Sequence, residues 1–272
     1  MRKISREEVI KNVFQALIDM SEKLPTDIYD KIKENIDKED DERSKNIMKM
    51  IIKNADIASN KHIPLCQDTG IVVIFLEVGY DLHFDYDLYS AINEGVSKAY
   101  TEGYLRKSIV ADPFKRNNTN DNTPAIIHTK LVPGSKLKMD IMMKGAGSEN
   151  MSKLKMLKPL EGKDGVLDFV LEVVKEAGGK ACPPLFIGIG IGGDFELAPL
   201  LAKHALLSTL DETAFEREIK NKVNELDIGP LGFGGKNTCL SVKIETHPCH
   251  IASLPVAVNL QCHSYRHRKV EL

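Results

Sequence analysis

The first sixty residues carry apolar side chains at helical spacing. Val9, Ile10, Val13, Phe14, Leu17 and Ile18 fall on one helix face, and Ser5 with Glu8 makes a capping-box pattern ahead of them. Leu24-Pro25 closes that helix, Thr26 opens a second carrying Ile28, Ile32 and Ile36, and a third is expected over 42–58. After residue 62 the texture changes. The β-branched run 71–78 predicts a buried strand, and Leu88, Ile92, Val96 and Tyr100 mark a helix ending near Gly103. Residues 110–125 are polar and rich in turn formers, which predicts a long loop. Two strand-like runs follow at 125–132 and 136–145, the second alternating through Leu137, Met139, Ile141 and Met143. Residues 145–150 read as a tight polar turn, and 164–177 as an amphipathic helix closed by Gly178-Gly179. The stretch 184–201 reads as strand, glycine turn and helix, and 211–226 as a charged helix. Strands are expected at 238–245 and 254–260. The sum is an α+β fold: a helical region over 1–60, then a mixed α/β region over 61–272 that forms one continuous domain.

Composition narrows the classes of function. The chain has 272 residues, enough for a core without disulfide staples. It carries 37 Lys and Arg against 39 Asp and Glu, a net charge of −2, which argues against nucleic acid as a partner. No apolar run approaches the roughly 18 residues of a spanning helix, and the N-terminus has no apolar leader. The expected location is the cytoplasm, where the 5 cysteines would stay free thiols.

Three of those cysteines stand in turn-rich polar settings: Cys66 in P-L-C-Q-D-T-G, Cys182 in G-K-A-C-P-P and Cys262 in L-Q-C-H-S-Y-R-H. No C-x-x-C occurs, so a zinc ribbon or a dithiol redox pair is disfavoured. Two readings stay open on spacing alone. The thiols are inert core residues, or they converge on a soft metal centre, zinc or an iron–sulfur cluster. Three ligands would leave one coordination position free for Lewis-acid chemistry. Gln67, Asp68, His263, Arg266 and His267 lie beside them in sequence and favour the second reading. Cys239 and Cys249 read as structural. The run G-I-G-I-G-G at 188–193 departs from the dinucleotide fingerprint and reads as a structural turn.

PLCQDTG, LRKSIVADPFKRNNTNDNTPA, KGAGSEN, ACPPLFIGIGIGG, GPLGFGGKNT and HPCHIASLPVAVNLQC, in that order over 60–268, resemble the landmarks of class I (iron–sulfur) fumarate hydratases and L-tartrate dehydratases. The resemblance implies a [4Fe–4S] cluster held by Cys66, Cys182 and Cys262, with the fourth iron open to substrate. It implies reversible hydration of fumarate to L-malate, the cluster acting as Lewis acid. L-Tartrate, or another hydroxy acid, is the alternative substrate. By the same match Asp68 is the acid/base carboxylate and His250 its partner. Gln67, Arg106 and Gly147 would contact a small dicarboxylate. The chain matches the separate α subunit of a two-chain enzyme, so a β subunit carrying the rest of the site and a higher-order heteromer are implied. A third reading remains: a non-catalytic metal-binding subunit. Read singly, Asp68 also suits an Asx turn, Arg106 an exposed helix-end arginine and His250 a structural histidine.

Overall fold

The computed structural model describes residues 2–272. β1 (Arg2–Lys3) leads into α1 (Arg6–Glu22), where the Ser5 hydroxyl accepts a bond from the Glu8 amide at 3.2 Å, as the capping pattern predicts. Then come α2 (Thr26–Ile36), α3 (Glu42–Lys61), β2 (Ile71–Gly79), β3 (Leu82–His83) and α4 (Leu88–Glu102). β4 (Ile126–Val132), β5 (Leu137–Lys144), α5 (Ala146–Glu149), β6 (Lys153–Leu157) and α6 (Gly162–Ala177) follow. The remainder is β7 (Leu185–Gly193), α7 (Leu197–Ala205), α8 (Ala214–Asn224), β8 (Cys239–Cys249), β9 (Leu254–Gln261) and β10 (Arg266–Glu271). This is an α+β fold, as the mixed periodicities require.

The chain forms two compact units, and each draws on separated stretches of sequence. The first comprises the residues through Pro25, Ala55–Gly145 and Arg266–Leu272. Its sheet has the order β10-β5-β2-β4, with β2 and β4 parallel and the other pairs antiparallel. Alternate residues of β2 and β5 (Val72, Ile74, Leu76, Met139, Ile141) are buried with Val9, Val13 and Leu17 of α1 and Ile92, Val96 and Tyr100 of α4. Burying such side chains contributes about 1.5–3 kcal/mol each relative to exposure.

The second unit comprises Thr26–Asn54 and Ala146–Tyr265. Its sheet has the order β6-β9-β7-β8, with β7 and β8 parallel and the other pairs antiparallel. Ile187 and Ile189 of β7 join Val170, Val173 and Val174 of α6 and Ile219 and Val223 of α8 in one core. The intervening Gly188 and Gly190 face α7. A Cβ on either would overlap the carbonyl oxygen of Ala202 or Ala198, so the helix can lie directly on the strand only over glycine. The expected glycine turn at 188–193 is therefore a strand interior, and the Ile–Gly alternation is the strand's two faces.

Three further segments differ from expectation. Residues 146–149 are a short helical turn where a plain turn was expected. β6 and β10 were not expected as strands: both are sheet edges, β6 a short K-L-K-M-L run broken by Lys153 and Lys155, and β10 charged at Arg268 and Lys269. Glu216 is a buried carboxylate that sequence reading passed over: it caps Thr213, accepts from the Ile244 amide at 2.7 Å and pairs with Lys243 at 3.2 Å.

Two outcomes test this packing. Gly190→Val should destabilise the chain by about 3 kcal/mol in urea melts, the upper range for forced overpacking. Burial pushes the Glu216 carboxyl upward, but hydrogen bonds from Thr213, Ile244 and Lys243 outweigh it and hold the carboxyl below its ordinary value. A depressed carboxyl stabilises above its unfolded pKa, and that contribution fades as pH falls through the folded value. Glu216→Gln should thus cost about 1–3 kcal/mol near pH 7, with the gap to wild type closing in acid melts below about pH 4.

Candidate functional site

In the first unit, α3 ends at Lys61 and the chain reaches β2 through the P-L-C-Q-D-T-G turn. Cys66 is half-buried, Gln67 exposed and Asp68 half-buried. Asp68 forms the Asx turn that its sequence position allows, Oδ1 accepting from the Gly70 amide at 3.0 Å. Gly70 has φ +79, and a Cβ there would press on the Lys144 backbone, so this position needs glycine on both counts.

Three consecutive carbonyls of the turn are held by buried side chains. Arg266 Nη2 donates to Asp68 O at 2.7 Å. The Tyr100 hydroxyl donates to Thr69 O at 2.8 Å and Gly70 O at 3.0 Å, and Asn122 Nδ2 donates to Gly70 O at 3.1 Å. Burial pushes the Tyr100 hydroxyl well above its ordinary pKa, so it remains a donor. The Thr69 hydroxyl in turn donates to Arg106 O at 2.8 Å. That bond fixes the Arg106 backbone while its side chain stays exposed, and its guanidinium has no partner among the described residues. Gly145 lies against the Asp68 carboxylate: a Cβ there would sit 3.1 Å from Oδ2. Tyr100 and Asn122 are site residues that sequence reading missed. Asn122, buried at φ +63 and accepting from the Ser108 amide at 2.7 Å, was hidden in a loop whose asparagines look alike.

The second unit carries Cys182 and Cys262. Cys182 is exposed and sits in the left-handed region at φ 55, ψ 63, which is unusual for a non-glycine residue. Its carbonyl accepts from the His263 amide at 3.3 Å and from His263 Nδ1 at 3.0 Å. These bonds bring the backbone beside Cys262 against that of Cys182. Buried Gln261 donates through Nε2 to Cys262 Sγ at 3.7 Å. Gly147 is exposed in α5, with the Lys180 carbonyl 3.4 Å from where a Cβ would stand.

His250 belongs to this second unit, whereas Asp68 belongs to the first. It is exposed, and its Nδ1 accepts from the Ala252 amide at 3.1 Å, leaving Nε2 to carry the proton of the neutral ring. It borders an apolar cavity of about 510 Å³ lined also by Val166, Ile191, Phe215 and Ile244. Cys239 and Cys249 differ in setting. Cys239 is buried in the core, and burial pushes its thiol up to about 12, which keeps it protonated. Cys249 is exposed at the end of β8.

The donor set is soft and undivided by disulfides, since all five thiols are free. Among the described residues, no three His, Cys, Asp or Glu side chains group as a single metal ion requires. An anionic thiolate-bound cluster fits a second feature of the first unit: Nε and Nη1 of buried Arg266 have no partner. No helix among the described residues is long and apolar enough to cross a membrane.

Comparison with known proteins places these residues in a wider context. The family model described as fumarate hydratase (Fumerase) matches residues 10–271. A protein of Methanocaldococcus jannaschii, provisionally named L(+)-tartrate dehydratase subunit alpha, is 43% identical over 253 residues, covering 88% of each chain. The L(+)-tartrate dehydratase subunit alpha of Escherichia coli (strain UTI89 / UPEC) is 30% identical over 270 residues, covering 95% of this chain and 88% of that protein. That of Shigella boydii serotype 4 (strain Sb227) has the same identity and coverage.

Two measurements check the site's local physics. In the metal-free chain, mass spectrometry should find an alkylating reagent on Cys182 and Cys249 first, with Cys239 labelled only as the chain unfolds. Tyr100→Phe leaves the buried Thr69 carbonyl without its donor, while Gly70 O keeps Asn122, and should lower stability by about 1–3 kcal/mol in urea melts.

Proposed function

Because the chain belongs to the fumarate hydratase family, we propose that it is the alpha subunit of a hydro-lyase that removes water from a small hydroxy-dicarboxylate, with L(+)-tartrate its preferred substrate. The relatives' names support tartrate over the fumarate–malate pair expected from sequence landmarks, while the family description keeps fumarate as the second reading. The observation that carries the proposal is the match across 10–271, which includes the clamped Cys66–Gly70 turn and both other cysteine segments.

In this reading Cys66, Cys182 and Cys262 hold a [4Fe–4S] cluster. When bound, that group supplies a Lewis-acid iron and involves no net redox change. The chain's own residues do the rest. Arg106 presents an unpaired planar guanidinium suited to a substrate carboxylate. Gln67, also exposed, offers an amide, and Gly147 a backbone N–H group. Asp68, its turn fixed at three carbonyls, moves a proton at the substrate hydroxyl. His250 partners it in proton transfer through Nε2. Loss of an α-proton builds charge on the carboxylate, and that charge demands more cationic groups than this set contains. A beta subunit would supply them, in keeping with the "subunit alpha" in the relatives' names.

Anaerobic co-purification with the beta-subunit candidate, reconstitution and assay on L-tartrate, L-malate and fumarate tests the reading. Turnover of L-tartrate should exceed that of the other two; faster fumarate hydration would reverse the substrate order. Cys66→Ser, Cys182→Ser and Cys262→Ser should each lower kcat/KM by at least ~100-fold, and Cys239→Ala should not. Four equal losses would overturn the ligand assignment.

A further inference from the structure

Arg266 opens β10 and is 1% exposed, the largest fully buried side chain of the fold. Only Nη2 has a partner, the Asp68 carbonyl. Nε and Nη1 are buried and unpaired, and no carboxylate among the described residues forms an ion pair with this guanidinium. Arginine stays protonated at any working pH. Removing such a charge from water costs several kcal/mol unless an opposite charge answers it. Tyr100, whose hydroxyl lies in the field of Arg266, cannot answer it, because burial keeps that hydroxyl neutral.

Sulfur lies close to Arg266 along the chain on both of its connections. It follows Cys262 by four residues, and the carbonyl it grips lies two residues after Cys66. Three thiolates on a dicationic [4Fe–4S] core leave the whole group anionic. We propose that Arg266 is the resident counter-charge of that group: its unpaired N–H donors offset the cluster's negative charge and retain it, while Nη2 holds the Asp68 turn. This rests on the cluster reading above and adds a positioning residue that the landmarks did not single out. Positive charge and hydrogen bonds near cluster sulfur both stabilise the group and shift its potential.

The test uses the full chain, metal-free and after anaerobic reconstitution with ferrous iron and sulfide. Wild type, Arg266→Lys, Arg266→Gln and Arg266→Met are compared by melting temperature in both states and by iron release under a chelator. The rise in melting temperature on reconstitution should be largest for wild type and Lys, and smaller for Gln and Met. Iron should leave the Gln and Met variants about 10-fold faster than wild type, with Lys recovering most of that loss. Gln keeps an N–H for the Asp68 carbonyl, so the Lys–Gln contrast decides the matter even where Met fails to fold. Equal gains and equal release rates across all variants would overturn the proposal and leave Arg266 as a backbone clamp. A wild-type chain that takes up no iron would instead overturn the cluster reading itself, and this inference with it.

Discussion

A buried turn must find a partner for every carbonyl it takes out of water, and the Asp68–Gly70 segment meets that demand with side chains instead of a strand ladder. Arg266, Tyr100 and Asn122 come from the start of β10, the end of α4 and the long loop before β4. Each arrives only because its own element is packed in the first unit's core. The turn's shape is therefore a product of that whole unit. Small changes in α4 or β10 reach Asp68 through a hydrogen bond instead of through contact with it.

The same economy appears in the second unit at a different scale. Cys182 takes up a backbone conformation that costs a non-glycine residue roughly 1 kcal/mol, and His263 grips its carbonyl with two donors. Rigidity at a thiol-bearing turn is in both cases secured through peptide oxygens.

Much of this was legible in the sequence, for definite reasons. The N-terminal helices and β2, β5 and β9 announced themselves because each buries one face or both, and burial writes a period into the chain. β10 was silent because a charged edge strand has no apolar face to advertise. The 188–193 glycines misled because a strand that bears a helix directly on it looks, residue by residue, like a turn. Cys66, Gln67 and Asp68 drew notice as candidates by chemical type, and Arg106 only by resemblance to a family landmark. Tyr100 and Asn122 did not, since their role lies in which carbonyl they reach, a property of the tertiary fold alone.

The two four-stranded sheets are wired alike. In each, a first strand (β2 or β7) is joined through helix to a parallel neighbour (β4 or β8), and the next strand (β5 or β9) returns antiparallel on the other flank. Cys66 and Cys182 each stand a few residues ahead of that first strand. Their positions are thus fixed by local entry to a strand and are indifferent to how much chain the intervening crossovers contain. Evolution can lengthen or trim those crossovers freely, so distant kin would be better sought by where a thiol meets its sheet than by how many residues separate one thiol from the next.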